Sequence, residues 1–241
     1  MTRFSTEELA ARFPALCGGP EPTEEDLAEA QRRREAAAIV RERERRDEAA
    51  DELIAARGER YRHCRLSNFE VKTDDQKAVV ERLQRFCQDV PTEVASGTGL
   101  ILYGPSGTGK DHLMFAVAYA AVKSYGLWLT WKNGVALYSA FRAAIDGERS
   151  EDDVIRPLIE ATILVLSDPL PPEGDLTRYQ KEMLYRILES RYSARKGTWA
   201  TLNVRSRKEV NERLGTACAD RLRDGAVCLF CNWPTHRKPK D

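Results

Sequence analysis

The sequence predicts a three-layer α/β fold built on a five-stranded parallel sheet and preceded by an N-terminal helical extension, and two observations carry that reading. Five short apolar runs recur along the chain: Leu100 to Tyr103, Leu127 to Trp131, Thr162 to Leu166, Thr198 to Asn203 and Ala226 to Phe230. Helical segments separate the first four, and strands that alternate with helices pair in parallel because right-handed crossovers pack helices back on both faces. The second observation is the stretch from Thr23 to about Arg57, rich in Ala, Glu and Arg and free of Gly and Pro, which makes it a strong helix former.

Thr23 with Asp26 three residues on resembles a capping box, and Gly58 supplies a C-terminal stop. One continuous helix would reach about 50 Å. Its apolar residues (Leu27, Ala30, Ala37, Ile39, Val40, Leu53, Ile54) are too sparse for a sustained coiled-coil seam, and its centre is almost wholly charged. Two readings stay open: a solvated helix between small elements, or a helix that docks a partner. After Tyr61 the composition changes, so residues 1–65 are read as a charged helical region and 66–241 as the main domain. In "DDQKAVVERLQRFCQDV" the residues Val79, Leu83 and Phe86 share a helical face, with Val80 and Cys87 beside them. The Pro cluster "DPLPPEG" makes a rigid loop after the third run, and "NERLGTACADRLRDG" reads as a helix before the fifth.

A chain of 241 residues with 42% hydrophobic content can bury one sizeable core and carry a smaller appendage. Lys+Arg and Asp+Glu both total 38, so no global field draws nucleic acid or acidic lipid, and any such contact is local. The start, "MTRFSTEELAARF", has no apolar h-region, and no run approaches the roughly 18 apolar residues of a membrane span. A soluble, cytoplasmic protein without membrane contact is expected, with its cysteines (Cys17, Cys64, Cys87, Cys218, Cys228, Cys231) as reduced thiols. Cys228 and Cys231 form a C-x-x-C, but no second Cys/His pair accompanies it, which favours a buried strand over a zinc site.

The chemistry concentrates in "LILYGPSGTGKDHLM". Gly104, Pro105, Ser106, Gly107, Thr108, Gly109 and Lys110 fit the phosphate-loop pattern G-x-x-x-x-G-K, preceded by an apolar strand and followed by the helical pattern that begins at His112. Such a loop turns its N–H groups around the phosphates of a nucleotide, the helix N-terminus adds positive potential, and the Lys reaches the terminal phosphates. Asp111 stands where Ser or Thr usually ligates magnesium. It either holds the metal through a water or turns outward as an early-helix anion, which the helix dipole favours. An acidic pair is expected at a later strand end, and "ILVLSDP" offers Ser167 and Asp168. Position by position, Ser167 replaces the metal-holding Asp and Asp168 replaces the water-activating Glu, so Asp168 carries whatever metal and catalytic role survives and hydrolysis should be weak. Asn203, ending the fourth run, is well placed to sense the terminal phosphate, and Arg221 or Arg223, before the fifth, to reach a neighbouring subunit's nucleotide as an arginine finger.

Taken together, "GPSGTGKDHL", "ILVLSDP", "TLN" and "ADRLRDG…CLFCNW" resemble the AAA+ ATPases of the DnaC helicase-loader and IstB transposition-helper group, over about Leu66 to Trp233. The resemblance implies a P-loop AAA+ fold without a separate C-terminal lid, and ATP with magnesium as cofactors. It implies Lys110 on the phosphates, Asp168 at the acidic pair, Asn203 as sensor, Arg221 as finger in trans, and Asn68 and Phe69 near the adenine. It further implies a nucleotide-dependent homo-oligomer that binds single-stranded DNA, partly through Thr177, Arg178 and Tyr179, and docks a hexameric replicative helicase through the region before the core. Two alternatives share the same motifs: an adaptor that senses nucleotide without hydrolysing it, and an IstB-like transposition helper.

Overall fold

The computed structural model describes residues 23–147 and 150–237; Cys17 and the "MTRFSTEELAARF" start lie outside them. Helix α1 runs Glu24–Arg57. Its capping box forms as the sequence predicts, with the Asp26 N–H donating to Thr23 Oγ1 at 3.2 Å and the Thr23 N–H donating to Asp26 Oδ2 at 3.0 Å. The chain divides into two compact units, residues 1–45 and 46–241. In the first, the described residues 23–45 are exposed except for half-buried Ala37 and Glu42, as the thin supply of apolar residues dictates. In the second, Ala50, Leu53 and Ile54 enter the core. Among the described residues no helix is long and apolar enough to cross a membrane.

The second unit holds the remaining elements: α2 (Asp74–Gln88), α3 (Val90–Ala95), β1 (Gly99–Gly104), α4 (Lys110–Tyr125), β2 (Leu129–Asn133), α5 (Gly134–Ile145), α6 (Glu151–Glu160), β3 (Ile163–Ser167), α7 (Arg178–Ser193), β4 (Thr198–Asn203), α8 (Arg207–Leu214), α9 (Thr216–Arg223) and β5 (Ala226–Phe230). The five strands form one parallel sheet in the order β2-β3-β4-β1-β5. Strand alternation sorts the core into two faces. Leu100, Leu102, Ile163, Val165 and Trp199 face α4, α2 and the end of α1, whereas Ile101, Leu164, Leu166, Ala200 and Leu202 face α5 to α9. Helix α4 is apolar nearly all round because it is covered on both sides.

Two departures from the sequence reading have local causes. The second run begins at Leu127, yet β2 begins at Leu129, because α4 ends on Gly126 at φ 68° and the Leu127 N–H turns back to the Ala121 carbonyl at 3.1 Å. The stretch "NERLGTACADRLRDG" is two helices, α8 and α9, broken where Gly215 adopts φ 90°. Away from the site, Arg191 is wholly buried and donates to Thr198 Oγ1 and to the carbonyls of Leu158, Ile159, Ala161, Thr162 and Gly197. It ties the ends of α6 and α7 to the strands they lead into, without a carboxylate partner among these contacts.

Candidate functional site

Parallel strands present their carboxyl ends together, and here those of β1, β3 and β4 converge in register: Gly104 lies beside Asn203, and Ser167 beside Thr201. The loop from Gly104 to Lys110 bridges β1 and α4. Gly107 and Gly109 adopt φ 84° and 86°, a region costly for residues with a Cβ, and a Cβ at Gly109 would come within 2.7 Å of the Phe69 ring. The Lys110 side chain, 4% exposed, curls back so that Nζ donates to the Gly104 and Pro105 carbonyls at 2.9 and 2.7 Å. Burial lowers its pKa, opposed by the charge of Asp168.

A cleft of about 380 Å³ opens over this loop, bordered by Asn68, Phe69, Ser106, Gly107, Gly109, Lys110, Asp111, His112, Asp168 and Asn203. Phe69 packs edge-on against His112, Trp233 and His236. Asn68 spends its side chain locally, accepting from the Arg65 N–H and donating to the His63 carbonyl. Its amide therefore shapes the turn that delivers Phe69.

Asp111 is the most heavily engaged acid in the cleft. Ser167 Oγ donates to it at 3.1 Å from both carboxylate oxygens, Thr201 Oγ1 donates at 2.8 Å, and Arg57 Nη2 at 3.3 Å. The Arg57 guanidinium also lies 4.7 Å from the Tyr61 ring centroid and 4.5 Å from that of Trp131. Asp168 follows β3 in the left-handed region at φ 45°. Its Oδ1 is buried without a hydrogen-bond partner, and a Cβ at Gly134 would collide with its carbonyl oxygen. Burial, with the Asp111 charge next, raises the Asp168 carboxyl to about 6, against the pull of Lys110, the Asn203 amide and Arg57. A carboxylate held in this way is a stronger proton acceptor than a free one.

Other site candidates lie apart from the cleft. Arg221 on α9 is paired with Glu189 and sits 4.6 Å over the Tyr192 ring. Thr177 caps α7 by accepting from the Gln180 N–H, Arg178 pairs with Glu182, and the Tyr179 hydroxyl donates to Glu151 at 2.8 Å. Conversely, Arg57, Tyr61, Thr201, His236 and Arg237 belong to the site and escaped sequence reasoning. Thr201 alone left a signal, a polar residue within an apolar strand two positions before Asn203 and so on the same face. His236 and Arg237 arrive because the segment after β5 doubles back over the loop. Along it the Cys231 N–H donates to Tyr103 O at 2.7 Å, Trp233 Nε1 to Thr108 O at 2.8 Å and the His236 N–H to Gly107 O at 2.9 Å.

Comparison with known proteins agrees with this architecture. The crystal structure of the DnaC helicase loader is similar with a TM-score of 0.64 at 21% identity, over 72% of this chain and 99% of the loader. The crystal structure of DnaI gives 0.57 at 18%, over 73% of this chain and 91% of DnaI. AMPPCP-bound DnaA from Aquifex aeolicus gives 0.55 at 18%, over 69% of this chain and half (50%) of the DnaA chain. Curated proteins give no match. The fold is thus the P-loop AAA+ fold shared by these structures. The family model described as "IstB-like ATP binding protein" matches residues 38–229, most of the chain, and the chain belongs to that family.

Proposed function

We propose that this chain binds ATP with magnesium in the cleft at the strand ends, turns it over slowly, and works as a helicase loader in DNA replication. The observation that supports this reading best is the convergence of the phosphate loop, Lys110, Asp168 and Asn203 at the carboxyl ends of β1, β3 and β4, where open parallel sheets take their ligands.

The residues fit a magnesium-bound triphosphate. The loop amides and the N-terminus of α4 favour anions, and Lys110 is within a side-chain rotation of exchanging the Gly104 and Pro105 carbonyls for phosphate oxygens. The Asp111 carboxylate, the Ser167 and Thr201 hydroxyls and the unpaired Asp168 Oδ1 are hard oxygen donors, the type magnesium selects. Bound magnesium would offset phosphate charge. Asp168 accepts a proton from a water, Asn203 orients that water against the terminal phosphate, and Phe69 offers the base an apolar face. Because Asp is one methylene shorter than Glu, Asp168 holds its carboxylate further back, which slows the step.

For partners, the DnaC and DnaI likenesses support a hexameric replicative helicase, met by the exposed stretch 23–45 of α1, and single-stranded DNA, met near Thr177, Arg178 and Tyr179. Arg221 serves a neighbouring subunit's nucleotide only if its pair with Glu189 opens on assembly. The test is equilibrium titration with a fluorescent ATP analogue, with Lys110→Ala as the control, followed by phosphate release with and without single-stranded DNA and a pull-down with the helicase. Native protein without nucleotide affinity would overturn the proposal.

Ser167 in place of a carboxylate supports a second reading, an adaptor that senses ATP without hydrolysis. Turnover abolished by Asp168→Asn excludes it. A transposition helper uses the same core, and capture of a transposase in place of the helicase would favour that role.

A further inference from the structure

Two side chains meet at the floor of the cleft with their usual carriers exchanged. In the common phosphate-loop arrangement a hydroxyl follows the Lys and a carboxylate ends the facing strand. Here the carboxylate follows the Lys, as Asp111, and the hydroxyl ends β3, as Ser167, and the two are directly hydrogen-bonded at 3.1 Å. We infer that Asp111 is the metal-holding carboxylate of this nucleotide site and Ser167 the hydroxyl that orients it, so that the pair is transposed rather than lost. The inference rests on the nucleotide reading above.

Four observations carry it. Magnesium in nucleotide sites needs only one or two carboxylates besides phosphate oxygens and water, so one acid on α4 suffices whichever element supplies it. Asp111 is fixed by donors alone: Ser167 and Thr201 hydroxyls on the strand side and the Arg57 guanidinium on the other. All its hydrogen bonds are accepted, the Tyr61 hydroxyl adding one at 3.5 Å, so the carboxylate is held in place, and it borders the same cleft as Lys110. Arg57 already holds a cation against this carboxylate at 3.3 Å, which marks the spot as one where positive charge is favoured. Finally, a bare carboxylate in the first turn of α4 would repel a polyphosphate unless a cation lay between them. The residue that looked least compatible with phosphate becomes the one that requires the metal.

The transposition is tested by exchanging the pair back. Affinity for a fluorescent, non-hydrolysable ATP analogue is measured in magnesium and in EDTA for the full chain, Asp111→Ser, Ser167→Asp, and the double variant carrying both changes. Manganese bound in the ternary complex is counted by electron paramagnetic resonance. Native protein should bind at least about tenfold tighter with metal, a ratio worth ~1.4 kcal/mol. Asp111→Ser, which leaves two hydroxyls, should bring the ratio near one while retaining metal-free affinity, and Ser167→Asp, which sets two carboxylates against each other, should weaken metal-free binding. The double variant should recover both the ratio and the manganese signal. An undiminished ratio in Asp111→Ser overturns the inference, as does a double variant that melts like the native protein yet recovers neither. If native protein binds the analogue in neither buffer, it is the nucleotide reading itself that fails.

Discussion

Replacing Arg57 by Met removes a cation from three partners while keeping the aliphatic stem. The guanidinium is 10% exposed and bridges Asp111 at 3.3 Å with the faces of Tyr61 and Trp131 at 4.7 and 4.5 Å. Each cation–π contact at such a half-desolvated place is worth about 0.5–2 kcal/mol. Stripping one partner from a buried ion pair costs about 3–5 kcal/mol, but Asp111 is 27% exposed and retains Ser167 and Thr201, which reduces that part to about 1–2. Part of the whole is recovered because Arg57 Nε is itself buried without a partner. The expected loss is about 2–4 kcal/mol, read by urea denaturation as a lower midpoint at unchanged slope. Arg57→Lys should restore less than half of it, since an ammonium carries the charge without the planar face that stacks on the rings. A Met variant within about 1 kcal/mol of native would refute the idea that this residue clamps the end of α1 to the site.

Further expectations follow from neighbouring features. The Asp168 carboxyl is raised from 3.8 to about 6; a carboxyl whose folded value lies above its unfolded one loses stability as pH rises through that window, and the cost is full above about 6 and absent below about 4. Asp168→Asn should therefore stabilise the protein by about 1–3 kcal/mol near pH 8 and by nothing near pH 4, and an equal gain at both pH values in chemical denaturation would contradict the assignment. Arg191→Met removes the buried donor that five carbonyls and Thr198 Oγ1 share, a loss of about 3–5 kcal/mol that calorimetric melting would detect. Gly109→Ala must fit a Cβ against Phe69 at φ 86°, so affinity for an ATP analogue should fall about tenfold or more in a titration where the remote substitution Val135→Ala changes nothing.

Much of the fold was legible because its signals are local. The capping box at Thr23, the α2 face of Val79, Leu83 and Phe86, and the glycine loop between strand and helix each announce themselves within a dozen residues. The same locality explains the misplaced start of β2: hydropathy cannot tell that Leu127 is used to close α4 by bonding back to Ala121. Half of the site was invisible for a related reason. Arg57 ends a charged helix and resembles its many neighbours until the fold brings it to Asp111, 54 positions away. Thr201 reaches the same acid from 90 positions away. Asp111 itself was read as a choice between water-mediated metal contact and an outward-turned anion, and the chain alone could not reveal that Ser167 would face it.

The segment after β5 gives the phosphate loop a peculiar history during synthesis. Trp233 Nε1 supplies the bond to Thr108 O across a separation of 125 residues, and His236 supplies the one to Gly107 O. At about 5–20 residues per second a ribosome needs roughly 6–25 s to make the intervening chain. Throughout that interval β1 and α4 exist without the groups that close the loop between them. The hydrogen bonds that hold the loop at Gly107 and Thr108 therefore form only once the segment after β5 has been made.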